Sequence, residues 1–325
     1  MTTRLAFPVH LTASIATAHA RGEPIVALES SVFAQGLAIP ANRQAHTRME
    51  HAVRAQAATP AVTAIVRGVP QLGLDHDDLE RFLRRDGVRK VSARDLALCM
   101  AQRADGATTV AGTLALASLA GLEVFATGGI GGVHRDAPFD ESADLIELAR
   151  TPMIVVCAGA KSILDLPATL ERLETLGVPV VGYGTSELPG FFTASTGLRL
   201  DAAVSSPAEV AAVWDRHRAL GRPGALLLVQ PPPPAVALPP DIVAEATGHA
   251  LREARRVGVR GGAVTPFLLA EIERRTAGAS VEANLALLEA NAGLAAAVAA
   301  ALQAQRRSDE TPEPPFGVRQ GVYSG

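Results

Sequence analysis

Short apolar runs alternate with longer segments of helical periodicity along most of this 325-residue chain. Strands joined through helices run parallel to one another, and helices must cover both faces of such a sheet. Periodicity predicts strands at residues 25–30, 61–67, 123–127, 153–158, 178–183 and 224–229, and helices at 42–57, 108–119, 142–150, 162–176, 206–220, 241–257, 265–276 and 281–305. The pattern therefore predicts an α/β fold, a single three-layer α/β/α domain with a mostly parallel sheet.

The length of the chain is sufficient for one large α/β domain with a substantial core. We expect this catalytic domain to occupy residues 1–307. After Arg307 the sequence becomes polar and proline-rich, which is typical of segments without a packed core. Residues 308–325 are therefore predicted to form a flexible or subunit-wrapping C-terminal tail.

Charge and composition exclude several classes of protein. The formal net charge is only −3, and no Lys/Arg run is interleaved with aromatic residues, so nucleic acid is not an expected partner. No apolar run of transmembrane length is apparent, and Pro8 and His10 interrupt the start of the chain, so we expect a cytoplasmic protein without a membrane partner. Two cysteines, Cys99 and Cys157, form neither a disulfide framework nor a metal-binding spacing, and Cys157 is predicted to lie in the core.

Lys161 stands where an apolar run gives way to small residues and then to a predicted helix. Ser162 and Asp165 have the spacing of a capping box, which would place Lys161 just before the helix N-terminus. The partial positive charge of that terminus would disfavour an ammonium group and favour the neutral, nucleophilic amine. The alternative is a surface lysine at the start of a crossover helix.

Glycines are concentrated in residues 126–135, where their backbone N–H groups could approach an anion. The spacing is not that of a dinucleotide fingerprint, because His134 stands where a third glycine is required. A loop that binds a phosphate or a sugar fits better. Downstream, Asp140, Ser142 and Asp144 offer hard oxygen ligands suited to Mg²⁺ or Mn²⁺. Capping of the helix at 142–150 is the alternative role for these residues.

Glu29 ends a predicted buried strand, at the edge where open α/β sheets bind their ligands. A half-apolar setting there would favour its protonated form and suit a general acid, although a cap or an ion-pair role is equally open. Lys90 precedes a second capping-box pattern, Ser92 with Asp95, and a lysine beside a helix N-terminus is typical of a phosphate site. Hydroxyls of residues 108–109 could add to that site or serve as caps.

Taken together, these motifs resemble those of the pseudouridine-5′-phosphate glycosidase family, which includes the indigoidine-synthase-A-like proteins. The resemblance runs in family order from residue 25 to about residue 300. It rests on Val26-Ala-Leu-Glu-Ser30, Lys90-Val-Ser92, Arg94-Asp95, Thr108-Thr-Val110, Val124-Phe-Ala-Thr-Gly-Gly-Ile-Gly-Gly-Val-His-Arg135, Phe139-Asp140, Ser142-Ala-Asp144, Val155-Val-Cys-Ala-Gly-Ala-Lys-Ser-Ile-Leu-Asp165 and Thr265-Pro-Phe-Leu-Leu269.

The resemblance implies an enzyme that reversibly cleaves the carbon–carbon glycosidic bond of pseudouridine 5′-phosphate, giving uracil and ribose 5-phosphate. It implies that Lys161 is the covalent nucleophile, Glu29 the proton donor and Asp140 the ligand of a divalent metal, typically Mn²⁺. The substrate-contacting residues that it implies are Lys90, Val110, Ser142, Ala143, Asp144 and Asn284. It also implies a homotrimer that acts on a small molecule.

Some stretches depart from the family pattern. The link at 135–140 is shorter and lacks a histidine often found there, and residues 229–234 and 32–34 also differ. These departures bear on substrate breadth more than on the reaction. Two other functions remain open: an aldolase-like lyase that uses the lysine as an imine, and a non-catalytic regulator that binds a sugar phosphate.

Overall fold

The computed structural model describes residues 9–135, 139–261 and 264–310. Its strands are β1 His10–Leu11, β2 Ile25–Glu29, β3 Thr59–Val66, β4 Val69–Leu72, β5 Arg89–Val91, β6 Gly106–Thr108, β7 Val124–Ala126, β8 Ile154–Cys157, β9 Val180–Tyr183, β10 Ala202–Val204 and β11 Leu226–Val229. Its α-helices are α1 Ala13–Ala20, α2 Ala41–Ala55, α3 His76–Arg84, α4 Leu96–Ala101, α5 Val110–Leu119, α6 Ala143–Arg150, α7 Leu166–Thr175, α8 Pro207–Ala219, α9 Pro240–Val257, α10 Val264–Arg275 and α11 Ala279–Glu310. A π-helical turn at Val32–Gly36 and a 3₁₀ turn at Ala93–Asp95 complete them.

The described strands form one 11-stranded sheet in the order β1-β4-β3-β2-β7-β8-β11-β9-β10, with β6 pairing with β3 and β5 with β6. The pairs from β3 through β2 to β10 are all parallel, whereas β3 runs antiparallel to β4 and β6. The predicted α/β fold with a mostly parallel sheet and flanking helices is confirmed.

The central strands are buried from end to end, as a sheet covered on both faces requires. Every residue of β2, β7, β8 and β11 is buried. Helix α11 packs across this core against α2 and α8 and against the central strands. This arrangement brings the long C-terminal helix close to the edge of the sheet where the predicted site residues lie.

Helix α11 corrects the expectation that the chain contains no apolar run of transmembrane length. Within its stretch Ala279–Ser308, a window of 18 residues has a mean hydropathy of 1.8, so the helix is long and apolar enough to cross a membrane by length and composition. Of that window, 61% is buried inside the fold, because the small apolar side chains pack against the sheet and neighbouring helices. The helix continues through Glu310, and the rest of the predicted tail, 311–325, lies outside the described residues.

The helix after Lys161 begins later than the sequence indicated. Asp165, not Ser162, is its cap, because the Asp165 side chain accepts a hydrogen bond from the backbone N–H of Ala168 at 3.0 Å. Helix α7 therefore starts at Leu166, and the predicted capping box at Ser162 was wrong. Lys161 lies in an irregular segment between β8 and that helix, five positions before its first residue and not directly at its N-terminus.

Candidate active site

A cavity of about 350 Å³ opens at the carboxyl ends of the central strands. Clefts at this edge are the usual binding sites of open α/β sheets. Every site residue predicted from the sequence lines it: Glu29, Lys90, Val110, Asp140, Ser142, Ala143, Asp144, Lys161 and Asn284. The fold thus brings together side chains that are scattered over more than 250 positions of the chain.

Glu29, the last residue of β2, is held in place through both carboxylate oxygens. The hydroxyl of Ser31 donates to Oε2 at 2.7 Å, and the hydroxyl of Thr127 donates a short hydrogen bond to Oε1. The side chain is only 6% exposed. Its setting is therefore more polar than the half-apolar one expected from the sequence, and the carboxyl group is oriented before any ligand binds.

Thr127 is itself held by the long helix. The side-chain amide of Asn291 on α11 donates to the backbone oxygen of Thr127 at 2.8 Å, and its oxygen accepts from Gln230 at 2.9 Å. Sequence reasoning missed both Thr127 and Asn291. Contacts between residues 164 positions apart have no local sequence pattern that could reveal them.

Lys161 is half-buried and lies alongside the glycine-rich loop that follows β7. Its Nζ donates to the backbone oxygen of Gly129 at 2.6 Å, while its backbone N–H donates to Ile130 at 3.1 Å. These two hydrogen bonds hold Lys161 at its backbone and at its terminal amine. The amine is therefore oriented by the loop, not by a helix terminus.

Two glycines of the loop stand at positions where their neighbours leave no space for a side chain. A Cβ on Gly131 would lie 2.2 Å from the hydroxyl oxygen of Ser142, and a Cβ on Gly129 would lie 2.6 Å from the ring of Phe191. The backbone N–H of Gly131 instead donates to Asp144 at 2.8 Å. The close approach of these neighbours explains why the loop is rich in glycine, a composition that from the sequence alone suggested anion binding.

Asp144 connects this loop to the start of α5. One carboxylate oxygen accepts from the backbone N–H of Gly131, and the other accepts from the backbone N–H of Ala111 at 2.9 Å. The side chain is buried. The residue lines the cavity, yet its carboxylate already has two donors. Asp144 therefore shapes the cavity wall, whatever contact it makes with a ligand.

Asp140 does not cap α6. The cap is Ser142, whose hydroxyl oxygen accepts from the backbone N–H of Asp144 at 3.2 Å. The Asp140 side chain is exposed to solvent and lines the cavity, and among the described residues its bond is through the backbone oxygen, which accepts from the N–H of His134 at 3.0 Å. The helix-cap alternative for Asp140 is thus excluded, and its carboxylate is available to a ligand.

The donors around Asp140 fit a hard divalent cation only if water supplies most of the coordination. Across the described residues, no three His, Cys, Asp or Glu side chains cluster closely enough to hold a metal ion by themselves. An ion with Mg²⁺-like chemistry commonly uses one or two carboxylates and keeps several waters. One exposed carboxylate beside a polar cavity is compatible with that mode of binding.

Lys90 on β5 adds a second cation to the cavity. The predicted capping box beside it is confirmed, since Ser92 and Asp95 bond each other's backbone around the 3₁₀ turn. Although Lys90 keeps substantial contact with solvent, desolvation by the cavity wall and then the positive charge of Lys161 lower its pKa below the ordinary value. The capping role of Thr109 at α5 is also confirmed.

Cys157, at the end of β8, is not a competing nucleophile. Complete burial raises the pKa of its thiol to about 12, so the sulfur remains protonated near neutral pH. The prediction that Cys157 belongs to the core is confirmed.

The indigoidine synthase A-like protein family matches residues 14–301 of the chain. A pseudouridine-5′-phosphate glycosidase from Gemmatimonas aurantiaca is 68% identical over 302 residues, which cover 93% of this chain and 98% of that protein. The chain belongs to the indigoidine synthase A-like family. A pseudouridine-5′-phosphate glycosidase from Herpetosiphon aurantiacus is 51% identical over 90% of this chain and 97% of its own length.

Solved structures of the family share this fold. A prealnumycin C-glycosynthase in complex with ribulose 5-phosphate is 38% identical, with a TM-score of 0.85 over 92% of this chain and 98% of that one. An indigoidine synthase A-like protein from Thermotoga maritima is 33% identical, with a TM-score of 0.84 over 92% of this chain and 97% of that one. The predicted membership of the family is confirmed, and so is the prediction of an enzyme that acts on a C-glycosidic bond.

Proposed function

We propose that this family member cleaves pseudouridine 5′-phosphate reversibly to uracil and ribose 5-phosphate. The observation that carries the proposal is a single cavity in which an oriented lysine amine, a buried carboxyl group and a second lysine meet. The near full-length identity to proteins named for this activity supports it.

The chemistry of the bond explains the need for an amine. A uracil carbanion is a poor leaving group, so a glycosidase that relies on two carboxylates would cleave a carbon–carbon bond with difficulty. In the proposed route the neutral amine of Lys161 forms a bond to C1′ as the bond between C1′ and O4′ breaks. This step opens the ribose ring, and the proton that the amine loses passes to O4′. Loss of uracil then leaves an imine on Lys161, which water hydrolyses to ribose 5-phosphate and the free amine.

Glu29 is the residue that transfers a proton to the uracil base. As the bond between C1′ and C5 breaks, its electron pair passes to uracil C5, which must gain a proton. The Glu29 carboxyl group supplies that proton and recovers it in the synthetic direction. The hydroxyls of Ser31 and Thr127 keep the group aimed during both transfers.

The remaining cavity residues bind and orient the substrate. Lys90 contributes positive charge suited to the 5′-phosphate, and Asn284 and Val110 complete the walls. Anchoring the phosphate holds C1′ near Lys161, which can supply several kcal/mol of the barrier (about 7–11 in the best-oriented reactions). Mn²⁺ held by Asp140 and water would stabilise negative charge on the substrate.

We also expect a homotrimer, as the family resemblance implies. Gel filtration coupled to light scattering measures the mass in solution, and a monomer would contradict this part of the proposal.

A lyase that cleaves sugar phosphates between carbons is the second candidate. The complex of the related C-glycosynthase with ribulose 5-phosphate favours considering it, because that ligand is a five-carbon ketose phosphate. An enzyme of this type would fragment ribose 5-phosphate or ribulose 5-phosphate alone, without uracil. A regulator, by contrast, would bind the sugar phosphate and turn nothing over.

Chromatography for uracil separates these functions. The protein is incubated with pseudouridine 5′-phosphate and Mn²⁺, with uridine 5′-phosphate as the matched N-glycoside control. Uracil released only from the C-glycoside supports the proposal. Fragments from sugar phosphates alone would favour the lyase, and no turnover of either class would favour the regulator.

A further inference from the structure

Two side-chain amide oxygens that line the cavity lack a hydrogen-bond partner among the described residues. They are Oε1 of Gln35 and Oδ1 of Asn284, and both atoms are buried. A buried acceptor without a donor is costly, so such atoms in a ligand-binding cavity indicate where a ligand supplies the donor. The family resemblance assigns a substrate contact to Asn284 but none to Gln35.

The orientation of the Gln35 amide is set by its neighbour. Its nitrogen donates to the backbone oxygen of Val88 at 3.3 Å. Because that oxygen can only accept, turning the amide over would bring two oxygens together. The nitrogen is thereby committed to the protein, and Oε1 is the atom that remains for a ligand.

The two buried carboxylates of the cavity are already used, and the exposed carboxylate of Asp140 is the proposed metal ligand. Both oxygens of Glu29 bind hydroxyls, and both oxygens of Asp144 bind backbone N–H groups. Lys90 is a donor that suits phosphate oxygens, and the amine of Lys161 donates to Gly129 and is assigned to C1′ of the sugar. The amide oxygens of Gln35 and Asn284 are therefore the buried, unpaired acceptors that a donating ligand group would satisfy.

We propose that Gln35 determines specificity by accepting a hydrogen bond from a ring N–H of the pyrimidine base. The inference rests on the proposed function and adds a base-reading residue to it. A uracil linked through C5 keeps both of its ring N–H groups, whereas the N1 atom of uridine is consumed by the glycosidic bond. Two ring donors match two free acceptors, one on Gln35 and one on Asn284.

The first test is Gln35→Met in the full chain, assayed in the synthetic direction. Methionine keeps the length of the side chain and removes the acceptor. The KM for uracil should rise about tenfold or more, the usual scale of one lost hydrogen bond, while the dissociation constant of ribose 5-phosphate stays within about twofold. Gln44→Met, on the exposed face of α2, is the matched control and should change neither value.

Methylated bases identify the donor. The wild-type protein should discriminate against both 1-methyluracil and 3-methyluracil, because each lacks one ring N–H. In Gln35→Met the penalty for one of the two should largely disappear, while the other persists. Unchanged ribose 5-phosphate binding verifies that the variant is folded.

Two results would overturn the assignment. A weaker affinity for ribose 5-phosphate with an unchanged KM for uracil would place Gln35 against the sugar. If the penalty for each methylated base is the same in the variant as in the wild type, Gln35 does not contact the base. If the wild-type protein neither releases nor uses uracil, the proposed function fails and the inference fails with it. Normal wild-type turnover with an indifferent variant removes the inference alone.

Discussion

Ser31 and Thr127 hold the Glu29 carboxyl group through separate oxygens, so its position depends on residues from two strand ends. A buried acid fixed in this way can transfer a proton without a prior rearrangement, provided the carbon that receives it lies within reach. A substitution that removes the acidic proton of Glu29 but keeps the shape of its side chain tests this proton transfer alone.

Glu29→Gln should lower turnover of pseudouridine 5′-phosphate by at least about a hundredfold, the scale of acid–base catalysis. The amide remains similar in size and can still accept one hydroxyl, so ribose 5-phosphate should bind nearly as before, as measured by calorimetry. Glu171→Gln on the exposed face of α7 is the control. Wild-type turnover in Glu29→Gln would reduce the residue to a structural role.

Asp140→Asn separates charge from shape at the cavity edge. Because Ser142 caps α6, the substitution should leave the melting temperature unchanged. The loss of this exposed carboxylate should raise the Mn²⁺ concentration required for half-maximal activity, since the ion otherwise holds mainly water. The readout is an activity titration with Mn²⁺, and an unchanged midpoint would reject Asp140 as a ligand and leave Asp144 as the next candidate.

At the scale of elements, the glycine loop and α6 are packed too closely for a side chain between them. The loop is also tied to α5 through Asp144 and to α11 through Asn291. These links make the cavity wall a product of three helices and not of the loop alone. Distortion of the loop should therefore affect Lys161, whose amine binds its backbone.

Gly131→Ala tests this packing against a glycine that has space. A methyl group on Gly131 would meet Ser142 at 2.2 Å, whereas one on Gly248 in α9 meets only the end of Arg252 at 3.5 Å. We expect Gly131→Ala to destabilise the fold by about 1–3 kcal/mol and to lower turnover. Gly248→Ala should stabilise it by about 0.5–1 kcal/mol, the helix-propensity gain of alanine. Chemical denaturation measures both, and equal stability of the two variants would contradict the packing account.

At the scale of the whole molecule, the sequence predicts the central sheet because buried strands must be apolar. Strands β2, β3, β7, β8, β9 and β11 coincide with the predicted runs. The remaining strands escaped prediction because they are only two to four residues long. Some are also partly exposed, as in β5, where Arg89 and Lys90 are exposed, although β6 is buried throughout. Runs this short carry no measurable periodicity.

The site shows the same division between local and long-range information. Glu29 and Lys161 could be predicted because each follows an apolar run, and parallel strands end at one edge. Gln35 and Asn291 could not, because their importance arises from contacts with Val88 and Thr127 that only the folded chain creates. The cap at Asp165 was misplaced because Ser162 offered the same local pattern three residues earlier.

The central claim is that the Lys161 amine forms a covalent bond with C1′ of the sugar, and chemical trapping tests it most directly. The protein is incubated with ribose 5-phosphate, reduced with borohydride, digested and mapped by mass spectrometry, with Lys161→Arg as the control. We expect one reduced ribose phosphate adduct on Lys161 and its loss in the variant, because an open-chain aldehyde and a neutral amine form a reducible imine. An adduct only on Lys90, or none on the wild-type protein, would contradict it.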